Sequence, residues 1–162
     1  MTIHPDPAGV RRSRPPVGAP RSAALAEGAR AALAAAAAQL PSTVIVTTRG
    51  LEAATATAAI DPAALGRLIV VLLTRAADAL DGAGTILVTL EEALVDDGAS
   101  LNLGIVPGPY ARLCIGDTGT LRLPDLALRE ATAIVARHRG SLTLQSRPDG
   151  RHLAIYLPIA AH

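Results

Sequence analysis

An aspartate and a glycine directly follow an apolar segment in the second half of the chain, and their types and spacing suit ligand binding. The segment Tyr110–Gly116 has the alternation typical of a strand, and Asp117-Thr118-Gly119 comes next. A carboxylate at the end of a buried strand can accept a hydrogen bond from an N–H group of a ligand. The alternative interpretation is a turn after a strand, since Asp and Gly are common turn residues.

The elements that must position these residues begin with a central helix. Asp61 as N-cap and Pro62 at the first helical position predict its start. Gly82 and Gly84 predict its end, and a strand over Thr85–Leu90 follows. One apolar face of the helix is formed by six residues with helical spacing, namely Leu65, Leu68, Ile69, Leu72, Leu73 and Ala76.

The rest of the chain predicts an α+β fold with a mixed, mostly antiparallel sheet and helices on one face. The remaining predicted helices are Ser22–Leu40, with Ser22 as its cap and Pro41 as its stop, and a helix from the cap Asp125 to Arg139. The remaining predicted strands are Thr43–Thr48, a weak one within 54–60, Leu101–Val106, and the hairpin Ser141–Ser146 with Leu153–Leu157.

Composition limits the classes of function. The 162 residues suit one domain, and all 15 basic residues are Arg. Four of them lie in the first 21 residues, which we interpret as a disordered Pro/Arg-rich leader; the domain then covers 22–162. The leader could contact an acidic partner. The body has a net charge of −2, which argues against a nucleic-acid surface.

The single cysteine, Cys114, excludes an internal disulfide or a cysteine-based metal site, and a buried thiol is the default for it. No apolar stretch suggests a signal peptide or a membrane span. The sequence therefore predicts a cytoplasmic protein without a membrane or nucleic-acid partner.

Four segments, in this order and spacing, resemble the ATP-binding domain of sensor histidine kinases, which belongs to the GHKL superfamily. The similarity covers residues 22–160 and implies a Bergerat-type two-layer sandwich. The segments are Asp61-Pro62, LGRLIVVLLTRAADALDGAGTILVTL, YARLCIGDTGT and ATAIVARHRGSLTLQSRPDGRHLAIYLP. The resemblance implies that Asp117 accepts a hydrogen bond from the adenine amino group of ATP, and that Gly119 lets the backbone approach the base.

The departures from the family pattern all lie on the phosphate side. Arg75 stands where the family has its magnesium-binding Asn, and Arg cannot ligate a cation, although it could bind phosphate directly. Thr120 replaces the second glycine, and the long lid over the triphosphate is missing. Asp78 is retained, but an ion pair with Arg75 is preferred over a metal role, because one carboxylate makes a poor magnesium site. ATP is thus a doubtful ligand, and magnesium is not expected.

Three functional hypotheses follow from the resemblance. The first is a degenerate ATPase domain, without hydrolysis or phosphotransfer, that docks a histidine kinase or a response regulator in bacterial two-component signalling. The second is a stand-alone ATP-binding kinase domain whose partner supplies the acceptor His. A phosphotransferase ranks third, because the helix before the domain carries no His. The Ala stripe of that helix would permit a homodimer, but packing on its own sheet is preferred.

Overall fold

A computed structural model describes residues 23–54, 56–119 and 126–160. The predicted leader, the predicted caps Ser22 and Asp125, and Thr120 lie outside the described residues. In chain order the elements are β1 (Ala23–Ala24), α1 (Leu25–Ala37), β2 (Val44–Arg49), β3 (Thr57–Ala58), α2 (Pro62–Ala79), β4 (Gly84–Val95), α3 (Asp97–Leu103), β5 (Gly108–Asp117), α4 (Leu126–Arg137), β6 (Ser141–Arg147) and β7 (Gly150–Pro158).

Five of the strands form one mixed sheet in the order β2-β4-β5-β7-β6. The pair β2–β4 is parallel, and the other three pairs are antiparallel. This arrangement confirms the predicted α+β class and the mostly antiparallel sheet. The hairpin predicted near the end of the chain is present as β6 and β7.

Side chains on the inner face of the sheet line up in rows across the strands. One row, called the apolar row below, runs from β4 to β6 through Val88, Ile115, Leu153 and Leu144. The next row lies two residues further towards the end of β5 and consists of Ile86, Asp117, Arg151 and Ser146. The strand register thus places Asp117 beside Arg151.

The central helix α2 is the core of the helical layer. All six residues of its predicted apolar face are buried, each with at most 1% exposure. Pro62 opens the helix as predicted, and Asp61 is its N-cap residue, but the Asp61 side chain makes no capping hydrogen bond. With no Phe or Trp in the sequence, the core consists mainly of Leu, Ile, Val and Ala packed between α2 and the sheet.

The other two long helices flank α2. The Ala-rich helix α1 packs mainly against α2, and its buried face includes Leu25, Ala29 and Leu33. Helix α4 contacts α2 and the β6–β7 hairpin, and Arg67 on α2 pairs with Glu130 on α4 at 2.6 Å. The preferred interpretation of α1, packing on its own sheet, is therefore wrong about the partner, because the helix packs mainly against α2.

The strand predicted over Leu101–Val106 is wrong, because this segment begins inside the short helix α3. Asp96 caps the helix by accepting a hydrogen bond from the Ala99 backbone N–H at 2.7 Å, and Gly104 ends it in the left-handed conformation with φ 67°. The Leu-x-Leu alternation suggested a strand, but Leu101 is 86% exposed. The local caps outweigh the alternation.

A small two-stranded sheet joins the two ends of the described chain. Strand β1 pairs with β3, and Ala58 of β3 also forms an antiparallel bridge with Ile159. The Ala160 backbone N–H donates to the Thr57 carbonyl at 2.7 Å. The first and last described segments therefore lie on either side of β3.

Candidate functional site

Asp117 lies at the end of β5 and is 4% exposed. Its carboxylate Oδ1 accepts a hydrogen bond from the Gly119 backbone N–H at 2.9 Å. This bond closes a turn of the kind in which Asp binds the backbone two residues further on. One carboxylate oxygen is thus already engaged within the chain, so the turn interpretation of Asp117-Thr118-Gly119 describes the local geometry.

Burial raises the pKa of the Asp117 carboxyl above its usual value. The hydrogen bond from Gly119 and the positive charges of Arg151, Arg75 and His152 act in the opposite direction, in that order of size. Desolvation favours the neutral form of a carboxyl, whereas cations and N–H donors favour the charged form. At this site the cost of removing the carboxylate from water outweighs the attraction of the three basic side chains.

Arg75 is the second buried charged residue of the described chain, with 4% exposure. It lies in the last part of α2, close enough to Asp117 for its charge to lower the pKa of that carboxyl. The helix and the strand therefore bring a buried cation and a buried anion together. A guanidinium offers only donors, so Arg75 cannot contribute a ligand to a metal ion here.

Asp78 is not part of this group. It is exposed on α2 and lines a cavity of about 340 Å³ between the ends of α1 and α2, together with Asp81. The ion pairs of the described residues do not include the one predicted between Arg75 and Asp78. A role of Asp78 at the phosphate side of a nucleotide site stays a prediction.

Gly119 is required by a close approach between the turn after β5 and helix α2. A Cβ atom at this position would lie 2.6 Å from the Ala79 carbonyl carbon and closer still to the Ala79 oxygen. Real Cβ contacts are not that short, so no other residue fits without a shift of the backbone. The group that Gly119 admits in this structure is the end of α2.

The β6–β7 hairpin contributes two residues whose position was not anticipated. Gly150, with φ 133°, lies against the Asp117 carbonyl, and the next residue, Arg151, is the register partner of Asp117. The sequence alone does not show the strand register that brings Arg151 beside the carboxylate.

A polar cavity of about 300 Å³ lies next to this group, between the turn after β5 and the hairpin. It is lined by Thr118, Gly119, Arg151 and the hairpin residues 146–150. Asp117 and Arg75 are not among the residues that line this cavity. The volume is at the lower end of the range for small-molecule sites.

On the open face of the sheet, Cys114 is partly exposed and not buried as predicted. It lines a cavity of about 190 Å³ together with Arg112, which pairs with Glu91 and lies over the Tyr156 ring at 5.9 Å from its centroid. The described residues contain no group of three His, Cys, Asp or Glu side chains that could hold a metal ion. None of their helices is long and apolar enough to span a membrane.

A scan against protein-family models found no match, and neither did a search of curated proteins. Solved structures, by contrast, match over most of the chain. A mycobacterial sensor histidine kinase, MprB, superimposes with a TM-score of 0.67 and 17% identity, covering 88% of this chain and 100% of that one. The ATP-binding domain of PrrB from Mycobacterium tuberculosis gives a TM-score of 0.62 and 16% identity, with 87% and 98% covered.

The chain has the fold of a histidine-kinase ATP-binding domain. A third match supports this assignment, because the catalytic domain of the histidine kinase ThkA superimposes with a TM-score of 0.64 over 88% of this chain and 98% of that one, at 14% identity. The resemblance inferred from four sequence segments is thus confirmed at the level of the GHKL fold.

Proposed function

We propose that this chain is a degenerate histidine-kinase-type ATPase domain that acts as a non-catalytic binding or regulatory module in two-component signalling. The observation that carries the proposal is the buried Arg75, which stands in the helix where the family pattern has its magnesium-binding Asn. A cation at this position repels a divalent metal ion and offers it no acceptor. The chain thus keeps the fold, but its residues do not support magnesium-dependent hydrolysis or transfer of phosphate from ATP.

The environment of Asp117 gives a second reason. Burial raises the pKa of its carboxyl, and Oδ1 already accepts the Gly119 N–H. A carboxylate oxygen that already accepts one hydrogen bond within the chain has less capacity for a donor from a ligand. The chain's own Arg75 and Arg151 provide positive charge around it. The site therefore favours internal contacts over an adenine base.

A second candidate is a stand-alone ATP-binding histidine kinase domain whose partner carries the acceptor His. The observation in its favour is that Asp117 and Gly119 stand together at the end of β5, as adenine recognition requires in the family. In that case Arg75 would replace the metal ion as the group that neutralises the phosphates. ATP would then bind equally well with and without magnesium.

Calorimetric titration of the full chain with ATP, in the presence and the absence of magnesium, separates the two candidates. No binding heat in either buffer is the result expected for the non-catalytic module. Magnesium-independent binding that is lost in Arg75→Ala and kept in Arg67→Ala supports the kinase instead, because Arg67 is an exposed Arg on the same helix. Tight binding that depends on magnesium contradicts both candidates.

The partner is proposed to be a histidine kinase or a response regulator. A direct test is to titrate the labelled chain with purified receiver domains and with purified dimerisation hairpins of kinases. Saturable binding to either class, without nucleotide, is the expected result. Transfer of radiolabel from ATP to one of these proteins would support the second candidate.

A further inference from the structure

Strand β6 is an outer strand of the sheet, and its sequence lacks the usual protection of an exposed edge. It pairs with β7 on one side, and no other described strand pairs with it. Its seven residues contain no Pro and no Lys, and their single charge, Arg147, is at the end. Edge strands that stay unpaired usually carry such residues, or are short or bulged. The backbone of β6 can therefore accept a further strand.

The stretch open to pairing is Leu142–Ser146. Ser141, the residue before this stretch, contacts α3, because its hydroxyl donates a hydrogen bond to the Leu103 carbonyl at 2.7 Å. Arg147 precedes the turn to β7 and donates from Nη2 to the Gln145 side chain. Five consecutive residues remain between these two contacts.

The inner face of the sheet is incomplete at this edge. Along the apolar row, Val88, Ile115 and Leu153 have exposures of at most 2%, but Leu144 at the end of the row is 42% exposed. A strand added beside β6 would place a further side chain next to Leu144 and remove its apolar surface from water.

The open stretch is complementary to itself. If two copies pair antiparallel about Leu144, this residue faces Leu144 of the second copy, Thr143 faces Gln145, and Leu142 faces Ser146. Facing residues of an antiparallel pair lie on the same side of the sheet, so apolar meets apolar or a small hydroxyl on the inner face. No charged side chain lies opposite a like charge within these five positions.

We propose that two copies of this chain pair through β6, with a two-fold axis at Leu144 and a continuous sheet of ten strands. The opposite edge, β2, fits such a pairing less well. Its exposed apolar residue, Ile45, is the second residue of the strand, so an antiparallel pairing about Ile45 includes only Val44–Val46. The inference rests on the β6 edge alone and is independent of the proposed function.

The association should be weak and reversible. Five residue pairs bury less than the roughly 1,200 Å² of a standard interface. The dimer is therefore expected to form in a concentration-dependent manner, which suits a site-directed cross-linking test. Such a test captures a weak complex and also reports the register of the two strands.

The test uses the full chain with Cys114→Ala, so that the only thiol is the introduced one. In the proposed register the two Cα atoms at position 144 are about 4.5–5.5 Å apart, within the range for a disulfide. The Cα atoms at position 145 of the two copies are diagonal neighbours, about 7–8 Å apart, and this distance is too long for a disulfide. Leu144→Cys is thus the probe, and Gln145→Cys, which is also exposed, is the control one residue away.

After mild oxidation, Leu144→Cys is expected to give a disulfide-linked dimer in an amount that rises with protein concentration, while Gln145→Cys and Ile45→Cys stay monomeric. Circular dichroism of the three reduced variants shows that each is folded. Equal cross-linking of all three, preferential cross-linking of Ile45→Cys, or no cross-linking of a folded Leu144→Cys overturns the proposal. Loss of the dimer when Leu144 is replaced by Lys, measured by sedimentation velocity without oxidation, is the independent confirmation expected.

Discussion

The carboxyl of Asp117 is subject to two opposing influences. Burial favours its neutral form, whereas the Gly119 N–H and the positive charges of Arg151, Arg75 and His152 favour its ionised form. The pKa of Asp117 is raised, so burial has the larger effect. The charge of this residue in the folded state therefore costs free energy at neutral pH.

A substitution that cannot ionise should reveal this cost. Since the folded state holds the Asp117 proton more tightly than the unfolded state, the stabilisation is fully present below the usual pKa of 3.8 and is lost as pH rises through the raised pKa. Asp117→Asn keeps an acceptor for the Gly119 N–H and does not titrate. At pH 3.5 we expect its free energy of unfolding to lie within about 1 kcal/mol of the wild-type value.

As pH rises to 7, the wild type should lose stability relative to Asp117→Asn. Urea denaturation of both proteins at several pH values measures the difference. Asp97→Asn, an exposed site on α3, is the control for removing one acidic charge. The opposite outcome is that the wild type becomes more stable relative to Asp117→Asn as pH rises. In that case the attraction of the arginines for the carboxylate would exceed the cost of its burial.

The sequence identified part of this group of residues. Asp117, Gly119 and Arg75 follow from motif order and spacing, which reflect local elements and their sequence separation. Arg151 was not placed beside Asp117, because strand register depends on the whole hairpin and on the buried rows that it completes. Asp78 was carried over from the family motif, and its predicted ion pair with Arg75 rested on helical spacing, which does not tell which face of α2 the site lies on.

At the scale of elements, the turn after β5 packs tightly against the end of α2. Gly119 makes this contact possible. Gly66 lies in the first half of the same helix, and a Cβ atom at this position would have no atom of another element within 4 Å. The two glycines thus differ in the space around them. One is demanded by packing and the other is not.

Alanine at these two positions should have opposite effects. We expect Gly119→Ala to lower the free energy of unfolding by about 2 kcal/mol, the typical cost of overpacking. Gly66→Ala should raise it by about 0.5–1 kcal/mol, because Ala is the better helix former. Thermal and urea denaturation measure both changes, and a neutral Gly119→Ala would mean that the turn can move away from α2.

Two short segments show why some elements could be predicted and others could not. The β6–β7 hairpin was found because its apolar alternation and its Pro-Asp-Gly turn agree with each other. The α3 segment carries conflicting signals, a Leu-x-Leu alternation between the caps Asp96 and Gly104. Here the caps dominate, because the segment buries none of its side chains and packing cannot favour a strand.

For the molecule as a whole, the core is built from aliphatic side chains around α2. Without large aromatic residues, each buried Leu of this helix carries a larger share of the apolar contacts. Leu68 is fully buried in this core, whereas Leu101 on α3 is exposed. The two leucines provide a matched pair for testing how stability is distributed.

Leu68→Ala should lower the free energy of unfolding by about 2–5 kcal/mol, through lost burial and the cavity it leaves. Leu101→Ala should change it by less than about 0.5 kcal/mol, as surface substitutions generally do. Urea denaturation followed by circular dichroism gives both values. A similar loss in the two variants would show that α3 is bound to a surface in solution.

The overall architecture could be predicted because several independent features agree. The six apolar residues of α2, the β-branched strands and the glycine turns all indicate one α+β sandwich, and the order of four motifs selected the histidine-kinase fold. The activity could not be predicted in the same way. Activity depends on single side chains at a site, and these are separate from the six-residue apolar face that specifies the helix.

The meeting of the first and last described segments at β3 has a consequence for how the domain can be connected. Ala24 pairs with Thr57, and the Ala160 N–H bonds to the carbonyl of the same residue, so the entry and the exit of the described chain lie close together, with one strand between them. A domain with adjacent ends tolerates circular permutation and insertion into a loop of another protein. Tension applied between Ala23 and Ala160 would act first on the backbone pairings of β3.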